Sequence, residues 1–412
     1  MRLLLATSLG RLAGALSRAF RRGDGFVIGG RVVLAVCPDA FGRLVAGRRV
    51  AFVSATNGKT TTTRLLAAAL GRAGAVITNT SGANMPAGLV AALAAARGAP
   101  ASAPVVLEAD ETYLPRLLPA TRRSLLVLGN LSRDQLDRVG EVAMVARRWR
   151  TAFAAAPEVS AVANADDPHV AWAASVIDDV TWVSAGNSWT ADSVLCPSCG
   201  QVLRRANGDW SCACGFRRPP VTWRLDDGAL VGSDGARHEL DIALPGVANQ
   251  ANAAMAAVAA ETLGVPVAQA IPAMRSVNSV GGRYQVVDLG GRRARLLLGK
   301  NPAGWAEMFA MLAPAPAPVV IAINARAADG KDPSWLWDVP FEKLADRVVV
   351  ATGERRHDLA VRLLYAGVAH VSVDDPWACP PTELGEHAVV DAVGTYTAFR
   401  DMLRRGGGAD ND

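Results

Sequence analysis

Near the start of the chain, a glycine, a lysine and several hydroxyl side chains lie between the apolar run Val50–Val53 and a helix-like run. A strand, a tight Gly-Lys-Thr turn and a helix form a phosphate cradle, in which backbone N–H groups and the helix N-terminus face the anion. Lys59 would reach the outer phosphates of a nucleotide such as ATP, and the Thr60 hydroxyl would bind Mg²⁺. The full P-loop pattern has a glycine where this chain has Val53, so the match is partial and a chance turn is the alternative. The candidate phosphate-binding residues are Asn57, Gly58, Lys59, Thr60 and Thr61.

A second group of candidates is acidic and follows the apolar run that ends at Leu107. Glu108, Asp110 and Glu111 lie where a strand would end, which is the edge at which α/β sheets place ligands. Mg²⁺ prefers a few carboxylates together with phosphate oxygens. We therefore predict that Glu108 binds Mg²⁺ beside the Gly-Lys-Thr turn, with a solvated acidic loop as the alternative.

Four of the six cysteines are clustered in two close pairs separated by twelve residues. Glycines follow both pairs and leave room for four thiolates to converge on a tetrahedral ion. This spacing predicts a structural zinc ribbon rather than a catalytic site, because no ligand position stays open. Cys37 and Cys379 stand alone and are expected in the core. The predicted zinc ligands are Cys196, Cys199, Cys212 and Cys214.

Three further polar segments are weaker candidates. Asn130 and the acids after it could orient a substrate, or form a loop and a helix cap. Asn252, in an alanine-rich helix, and Arg283 could touch a nucleotide, although asparagines near a helix start usually cap it. The loop 329–338 carries two tryptophans, three acids and a lysine, and could bind substrate, dock a partner or join the core.

Alternating apolar strands and helices from residue 46 predict an α/β fold with a parallel sheet covered on both faces. We divide the chain into an N-terminal segment (1–45) packed on a central domain (46–282), with the ribbon inserted at 190–222, and a smaller C-terminal α/β domain (283–412). In the N-terminal segment Leu3, Leu4, Leu12, Leu16 and Phe20 suit one helix face. We expect that face to pack on the core, with peripheral membrane contact as the alternative.

The net charge of +5 comes from arginine, since the chain has only four lysines. It lacks the interleaved basic and aromatic stripe of a nucleic-acid-binding ATPase, so we expect no nucleic-acid partner. No segment has the length of a transmembrane helix, so we expect a cytoplasmic protein.

The Thr-Asn-Gly-Lys-Thr-Thr-Thr segment, the Glu-x-Asp-Glu strand end, the Asn-Ala-Asp-Asp-Pro segment at 164–168 and the Gly246, Asn249, Asn252 helix together resemble the central domain of Mur ligases. The four cysteines and the 329–338 loop narrow this resemblance to the ligase subunits that amidate lipid II. The resemblance covers nearly the whole chain. It implies that ATP activates a carboxylate as an acyl phosphate, which an amine then attacks.

For this chain the resemblance implies amidation of the α-carboxylate of D-glutamate in the lipid II stem peptide, giving D-isoglutamine. Lys59 and Glu108 would be catalytic, and Asn84, Asn130, Asn252 and Arg283 would contact nucleotide or substrate. Asp338 matches an acidic position of the family and would position ammonia or orient a partner's Cys–His pair. An amino-acid-adding ligase of the folylpolyglutamate type, acting alone, is the alternative.

Several features depart from the Mur ligases that act on soluble precursors. Residues 1–49 are too short for their nucleotide-sugar-binding domain. No lysine lies between Lys59 and Lys300 to be carbamylated, and Gln135 stands where those ligases commonly carry a metal-binding histidine, so the sequence leaves open whether a second Mg²⁺ site exists. With five histidines and most cysteines assigned to zinc, we see no glutaminase pair. The resemblance therefore implies a separate GatD-like glutamine amidotransferase as partner.

Overall fold

The structure is a computed structural model that describes residues 1–20, 25–79, 83–134, 141–187, 189–278, 284–378, 381–385 and 389–407. The chain divides into two compact units. The first joins Met1–Ser132 to Val139–Asn278, and the second joins Arg133–Arg138 to Ser279–Asp412. Each unit has its own sheet and hydrophobic core. None of the described helices has both the length and the apolarity needed to cross a bilayer.

A nine-stranded sheet forms the centre of the first unit. Its strands are β1 (Val50–Ser54), β2 (Ile77–Thr78), β3 (Val105–Glu108), β4 (Ser124–Leu128), β5 (Ser160–Asn164), β6 (Asp179–Ser184), β9 (Trp223–Asp226), β10 (Ala229–Gly232) and β11 (Arg237–Glu239), while β7 (Arg204–Ala206) and β8 (Asp209–Ser211) form a separate hairpin. The order is β11-β10-β9-β6-β5-β4-β1-β3-β2, parallel except for the antiparallel pairing of β10 with β9 and β11. Strands β1 and β4 are buried along their whole length, because helices cover both faces of the sheet.

The register of the sheet brings the ends of three strands to one edge. Val53 of β1 lies beside Glu108 of β3 on one side and Val127 of β4 on the other. The loops that follow β1, β3 and β4 therefore leave the sheet next to one another, at the edge where α/β sheets bind ligands.

The helices of the first unit are α1 (Arg2–Ala19), α2 (Phe26–Val36), α3 (Ala40–Val45), α4 (Lys59–Gly71), α5 (Pro86–Ala95), α6 (Leu114–Leu117), α7 (Val142–Ala154), α8 (Pro168–Ala174), α9 (Val247–Thr262) and α10 (Val267–Met274). Short 3₁₀ turns lie at Leu118–Ala120 and Ala191–Ser193. Helices α4, α5, α7, α8 and α9 confirm the helices that the sequence pattern predicts at 61–72, 87–96, 139–156, 168–176 and 248–263. Helices α2, α3, α6 and α10 were not predicted.

Helices α1 and α2 pack through their smallest residues. A Cβ added to Gly10 would lie 2.8 Å from the carbonyl oxygen of Gly29, and one added to Gly14 would lie 3.0 Å from that of Gly25. The two backbones therefore approach more closely than larger residues would allow.

This packing contradicts the prediction that the leucine-rich face of α1 packs on the core. Leu3 is partly buried against the core, but Leu4, Leu12, Leu16 and Phe20 are 54%, 57%, 49% and 73% exposed. The prediction was wrong because close approach of glycine backbones, rather than leucine burial, selects the inner face of α1.

The second unit is a six-stranded sheet with helices. Its strands are β12 (Tyr284–Leu289), β13 (Arg292–Leu298), β14 (Val319–Ala322), β15 (Val349–Thr352), β16 (His370–Ser372) and β17 (Val389–Gly394), and its helices are α11 (Pro302–Ala310), α12 (Arg356–Tyr365) and α13 (Tyr396–Arg405). 3₁₀ turns lie at Ser334–Asp338, Phe341–Leu344 and Thr382–Leu384. The order is β12-β13-β17-β14-β15-β16, with only β12 antiparallel to its neighbour among these strands. The predicted α/β class with parallel sheets is confirmed.

Candidate active site and cysteine cluster

Strand β1 ends at Ser54, and helix α4 begins at Lys59 after a short loop. Gly58 ends this loop with φ +85° and ψ −2°, a left-handed conformation. A Cβ at this position would lie 2.2 Å from the side-chain oxygen of Asn252 on α9. The backbone angle favours glycine, and any larger residue would also displace the Asn252 side chain. Glycine adds no capping side chain, and the first-turn N–H groups of a helix are the ones that bind anions.

Lys59 is folded back onto the loop that precedes it. Its ammonium donates to the carbonyl oxygens of Ala55 and Thr56 and forms an ion pair with Glu111, with Nζ 2.9 Å from Oε2. Both side chains of the pair are more than 90% buried. A buried ammonium needs such compensation, because desolvation without a partner is strongly unfavourable. Phosphate oxygens are acceptors of the same kind, so this ammonium can exchange its protein partners for a bound phosphate.

Glu108, at the end of β3, carries a carboxylate oxygen that is buried without a donor. Its Oε1 accepts a hydrogen bond from Asn84 at 3.0 Å, whereas Oε2 has no hydrogen-bond partner among the described residues. Asn79 bonds both the N–H and the C=O of Glu108 and so fixes the strand end. Because an unpaired buried carboxylate oxygen is unfavourable unless a cation satisfies it, Glu108 fits a Mg²⁺ ligand. Thr60, half-buried in the first turn of α4, offers a second oxygen of the kind that Mg²⁺ binds.

Asn130 holds the shape of the loop between Ser54 and Lys59, which we call the phosphate loop. Its side-chain oxygen accepts from the N–H of Asn57 at 3.0 Å, and its amide donates to the Asn57 carbonyl at 2.9 Å. The N–H of Thr56 in turn donates to the Asn130 carbonyl. This bonding makes Asn130 a brace for the loop. Whether it also contacts nucleotide or substrate stays a prediction.

Asn252 on α9 contacts the start of α4, since its side-chain oxygen accepts a hydrogen bond from the Thr62 hydroxyl at 3.2 Å. Thr61 is buried in the first turn of α4. Of the predicted nucleotide-contacting residues, Arg283 lies outside the described part of the chain. The first unit thus brings together these predicted residues: Asn57, Gly58, Lys59, Thr60, Thr61, Asn84, Glu108, Asn130 and Asn252.

Sequence reasoning gave no specific role to three residues of this region. Glu111 pairs with Lys59, and Asn79 fixes Glu108. Asp167 caps α8 and also accepts from the N–H of Leu131 at 2.8 Å. Burial raises the pKa of Asp167, while these N–H donors favour its charged form. The acidic strand end included Glu111 and the Asn-Ala-Asp-Asp-Pro segment included Asp167, whereas no local pattern pointed to Asn79.

Asp338, the remaining predicted catalytic residue, belongs to the second unit. Its Oδ2 lies 3.1 Å from Nη1 of Arg133, and both side chains are about one-third to two-fifths exposed. Of the two tryptophans in this loop, Trp335 packs on the buried Trp305, with ring centroids 5.9 Å apart, whereas Trp337 is 55% exposed. One tryptophan therefore joins the core, and the other stands at the surface beside Asp338.

The four clustered cysteines converge as a metal site would require. Their sulfur atoms all lie within 4.8 Å of one another, with 3.4 Å between Cys199 and Cys212 and 3.8 Å between Cys196 and Cys214. A tetrahedron with Zn–S bonds of about 2.3 Å has sulfur atoms about 3.8 Å apart. Gly200 and Gly215 have φ values of +78° and +92°, which turn the chain after each pair. Burial raises the pKa of Cys196 to about 12, whereas the N–H of Cys214 lowers that of Cys212 to about 7.

The ribbon is attached to the loop between β5 and α8. Trp210 donates from its indole N–H to the carbonyl of Ala165 at 3.1 Å, and Arg218 pairs with Asp166 at 2.6 Å. Cys196 and Cys212 pack in one buried cluster with Trp210. The same loop carries Asp167, so the ribbon supports the residue that holds Leu131 near the phosphate loop.

Comparison with known proteins agrees with this architecture. Residues 53–260 match the Mur ligase middle domain, and residues 298–399 match the MurT ligase C-terminal family. The chain is 31% identical over 392 residues to the Lipid II isoglutaminyl synthase (glutamine-hydrolyzing) subunit MurT of Streptococcus pneumoniae, covering 88% of each chain.

Solved structures share the fold at lower identity. A pseudomurein peptide ligase type C from Methanothermus fervidus is 17% identical, with a TM-score of 0.63, over 87% of this chain and 79% of that one. MurF ligase from Thermotoga maritima in complex with ADP is 15% identical, with a TM-score of 0.59, over 89% and 82% of the two chains.

A parallel sheet with a Gly-Lys-Thr loop after β1 and an acidic residue at the end of β3 defines a Mur-type carbon–nitrogen ligase of peptidoglycan biosynthesis. The match of residues 298–399 to the MurT ligase C-terminal family and the Streptococcus pneumoniae relative, which aligns with 88% of this chain, narrow this class to one family. The chain belongs to the MurT family of ligase subunits.

Proposed function

We propose that this chain binds ATP and Mg²⁺ and amidates the α-carboxylate of D-glutamate in the stem peptide of lipid II. The observation that carries the proposal is the buried, unpaired oxygen of Glu108, at the sheet edge that also carries the Gly-Lys-Thr loop. The name of the Streptococcus pneumoniae relative supports lipid II as substrate, and ADP in the Thermotoga maritima structure supports a nucleotide.

In this mechanism a carboxylate oxygen of the substrate attacks the γ-phosphorus of ATP, and ADP leaves. Ammonia then attacks the carbonyl carbon of the acyl phosphate. It loses a proton, and phosphate leaves, giving D-isoglutamine. Lys59 and the N–H groups at the start of α4 stabilise charge on the transferring phosphoryl group. Glu108 and Thr60 would hold Mg²⁺, which neutralises charge on the phosphate oxygens. When no phosphate is bound, the Glu111 carboxylate forms the ion pair with the Lys59 ammonium.

We further propose that ammonia comes from a separate GatD-like glutamine amidotransferase. The word "subunit" in the relative's name supports an assembly of more than one chain.

The four clustered cysteines would hold a structural Zn²⁺ ion, because their sulfur atoms converge as a tetrahedral metal site requires. Asp338 would position the ammonia or orient the partner's Cys–His pair. Because its substrate is anchored to lipid, the enzyme would work peripherally at the inner face of the plasma membrane.

To test the proposal, the chain would be purified together with a GatD-like glutamine amidotransferase from the same organism and incubated with lipid II, glutamine, ATP and Mg²⁺. We expect stoichiometric ADP and phosphate, and a peptide mass lower by about one dalton. With ammonium salt, the chain alone should give the same product. Attachment of an amino acid instead would favour the folylpolyglutamate-type alternative, and ATP turnover without any change in the peptide would contradict the proposal.

A further inference from the structure

Helix α1 carries a continuous apolar stripe on its outer face. Its members recur at intervals of four, three, four and four residues, which places them on one side of a helix. They are exposed to between 38% and 73% of their surface. We call these residues the apolar stripe: Leu5, Leu9, Leu12, Leu16 and Phe20.

The apolar stripe is not the surface by which α1 packs in the fold. The opposite face, which includes Gly10, Gly14 and Ser17, is buried, with both glycines against α2. At the start of α2, Val27 and Ile28 are also more than one-third exposed. An exposed row of this size on a helix generally marks an interaction surface.

The charged residues of helices α1 and α2 are all basic. Helix α1 contains Arg2, Arg11 and Arg18 and no acidic residue, and α2 adds the exposed Arg31, also without an acid. Arg2 and Arg11 donate to carbonyl oxygens of the first unit, which holds their positive charges near α1. A helix with large apolar side chains on one side and arginines as its charged residues matches an anionic lipid surface. Pairing with a second copy would instead bring like charges together.

We propose that α1 lies in the headgroup region of an anionic membrane, with the apolar stripe inserted among the acyl chains. The choice of a membrane over a protein rests partly on the proposed function, since a lipid-linked substrate requires the enzyme to work at a bilayer. The membrane contact raises the local concentration of that substrate at the first unit.

The test is flotation of the full chain with vesicles of phosphatidylcholine alone and of phosphatidylcholine with phosphatidylglycerol. We expect the chain to float with the anionic vesicles and much less with the neutral ones. The double substitution Leu12→Gln/Leu16→Gln should lower binding to anionic vesicles by about tenfold or more, because it removes two inserting side chains. Leu5→Gln/Leu9→Gln should act in the same direction.

The matched control is Val361→Gln/Leu364→Gln on α12, which removes two aliphatic side chains of similar exposure from the other unit. It should bind vesicles as the unsubstituted chain does. All variants should keep their melting temperature, because every changed side chain is at least one-third exposed. If a stripe variant loses its fold, the other stripe variant and the lipid dependence of the unsubstituted chain decide the outcome.

Three results would overturn the proposal: no binding of the unsubstituted chain to anionic vesicles, equal binding by both stripe variants, or a stripe variant that alters self-association or releases the glutaminase. The last result would assign the apolar stripe to a protein partner. Flotation needs no catalysis, so an inactive enzyme that still floats would contradict only the proposed function. Conversely, stripe variants should amidate a short-chain, water-soluble substrate analogue at the normal rate.

Discussion

Lys59 illustrates how a single side chain can be held ready for a ligand. Its ammonium is buried, and its partners are two loop carbonyls and the carboxylate of Glu111. Under the proposed function, a nucleotide phosphate would offer the same kind of acceptor, so binding would replace one set of contacts by another without exposing the charge. The unpaired oxygen of Glu108 leaves the complementary position for a cation.

Replacing Lys59 by methionine keeps the length of the side chain and removes its charge. We expect ATP-dependent amidation to fall by about 10²–10³-fold, as when another preorganised electrostatic donor is lost. Initial rates of ADP release with lipid II and ammonium salt would measure this. Lys343→Met, at an exposed lysine of the second unit, is the control and should keep full activity. Near-normal turnover by Lys59→Met would exclude this lysine from phosphoryl transfer.

Much of the loop could be predicted from sequence, because Gly-Lys-Thr after an apolar strand is a local pattern. The bracing contacts could not. Asn79 lies 29 residues from Glu108, and Asn130 lies 73 residues from Asn57. Their roles depend on strand order, which brings together loops that are distant along the chain. Asn130 was predicted to contact ligand, and the structure gives its amide a structural task.

At the scale of elements, the ribbon supports the site from outside it. Trp210 and Arg218 fix the loop after β5, and Asp167 of that loop holds the N–H of Leu131. The next residue, Ser132, bonds the hydroxyl of Thr56 in the phosphate loop. These hydrogen bonds and the Arg218–Asp166 ion pair connect the ribbon to the loop between β1 and α4.

Removal of zinc should therefore affect more than the ribbon. Cys196→Ser should lose bound zinc and lower the melting temperature by roughly 5–10 °C, because a structural metal contributes folding free energy. It should also weaken nucleotide binding. Metal analysis, thermal unfolding and nucleotide titration would measure these effects. Cys37→Ser, the same change at a buried cysteine outside the cluster, should retain zinc. A preparation of the unsubstituted protein without zinc would contradict the assignment.

Helix prediction succeeded for segments with a long helical pattern and failed for helices whose formation depends on tertiary packing. The apolar pattern predicts helices at 61–72 and 248–263, and helices α4 (Lys59–Gly71) and α9 (Val247–Thr262) begin and end within two residues of these bounds. Helix α2 is rich in β-branched residues and glycine, so its helical state depends on close packing against α1 and α5. The predicted orientation of α1 was also wrong because packing determines it: hydrophobicity does not reveal which helix face packs against a glycine backbone.

At the scale of the whole molecule, the second unit carries Asp338 and an exposed tryptophan on one loop. Asp329 anchors this loop by accepting hydrogen bonds from the N–H and hydroxyl of Thr397. A partly exposed aspartate on a fixed loop suits a task shared with a partner chain.

The substitution Asp338→Asn should reduce glutamine-driven amidation by about 10²–10⁴-fold, as when the orienting acid of a catalytic triad is lost. Comparison of glutamine with ammonium salt as nitrogen source separates the two proposed roles. If only the glutamine reaction is lost, Asp338 orients the partner's residues, and if both are lost it positions ammonia. Asp332→Asn in the same loop should be active. Full glutamine-driven activity of Asp338→Asn would remove both roles.

The position of the ribbon has a consequence for the growing cell. Cys199 and Cys214 are exposed, so oxidants and chelators can reach two of the four sulfur ligands. Because the ribbon supports the loop that packs beside the Gly-Lys-Thr turn, losing the proposed zinc ion would, under the proposed function, slow amidation of lipid II without altering any proposed catalytic residue. Trace-metal supply and thiol oxidation would then affect how much of the wall carries amide in place of acid, and hence the negative charge of its surface.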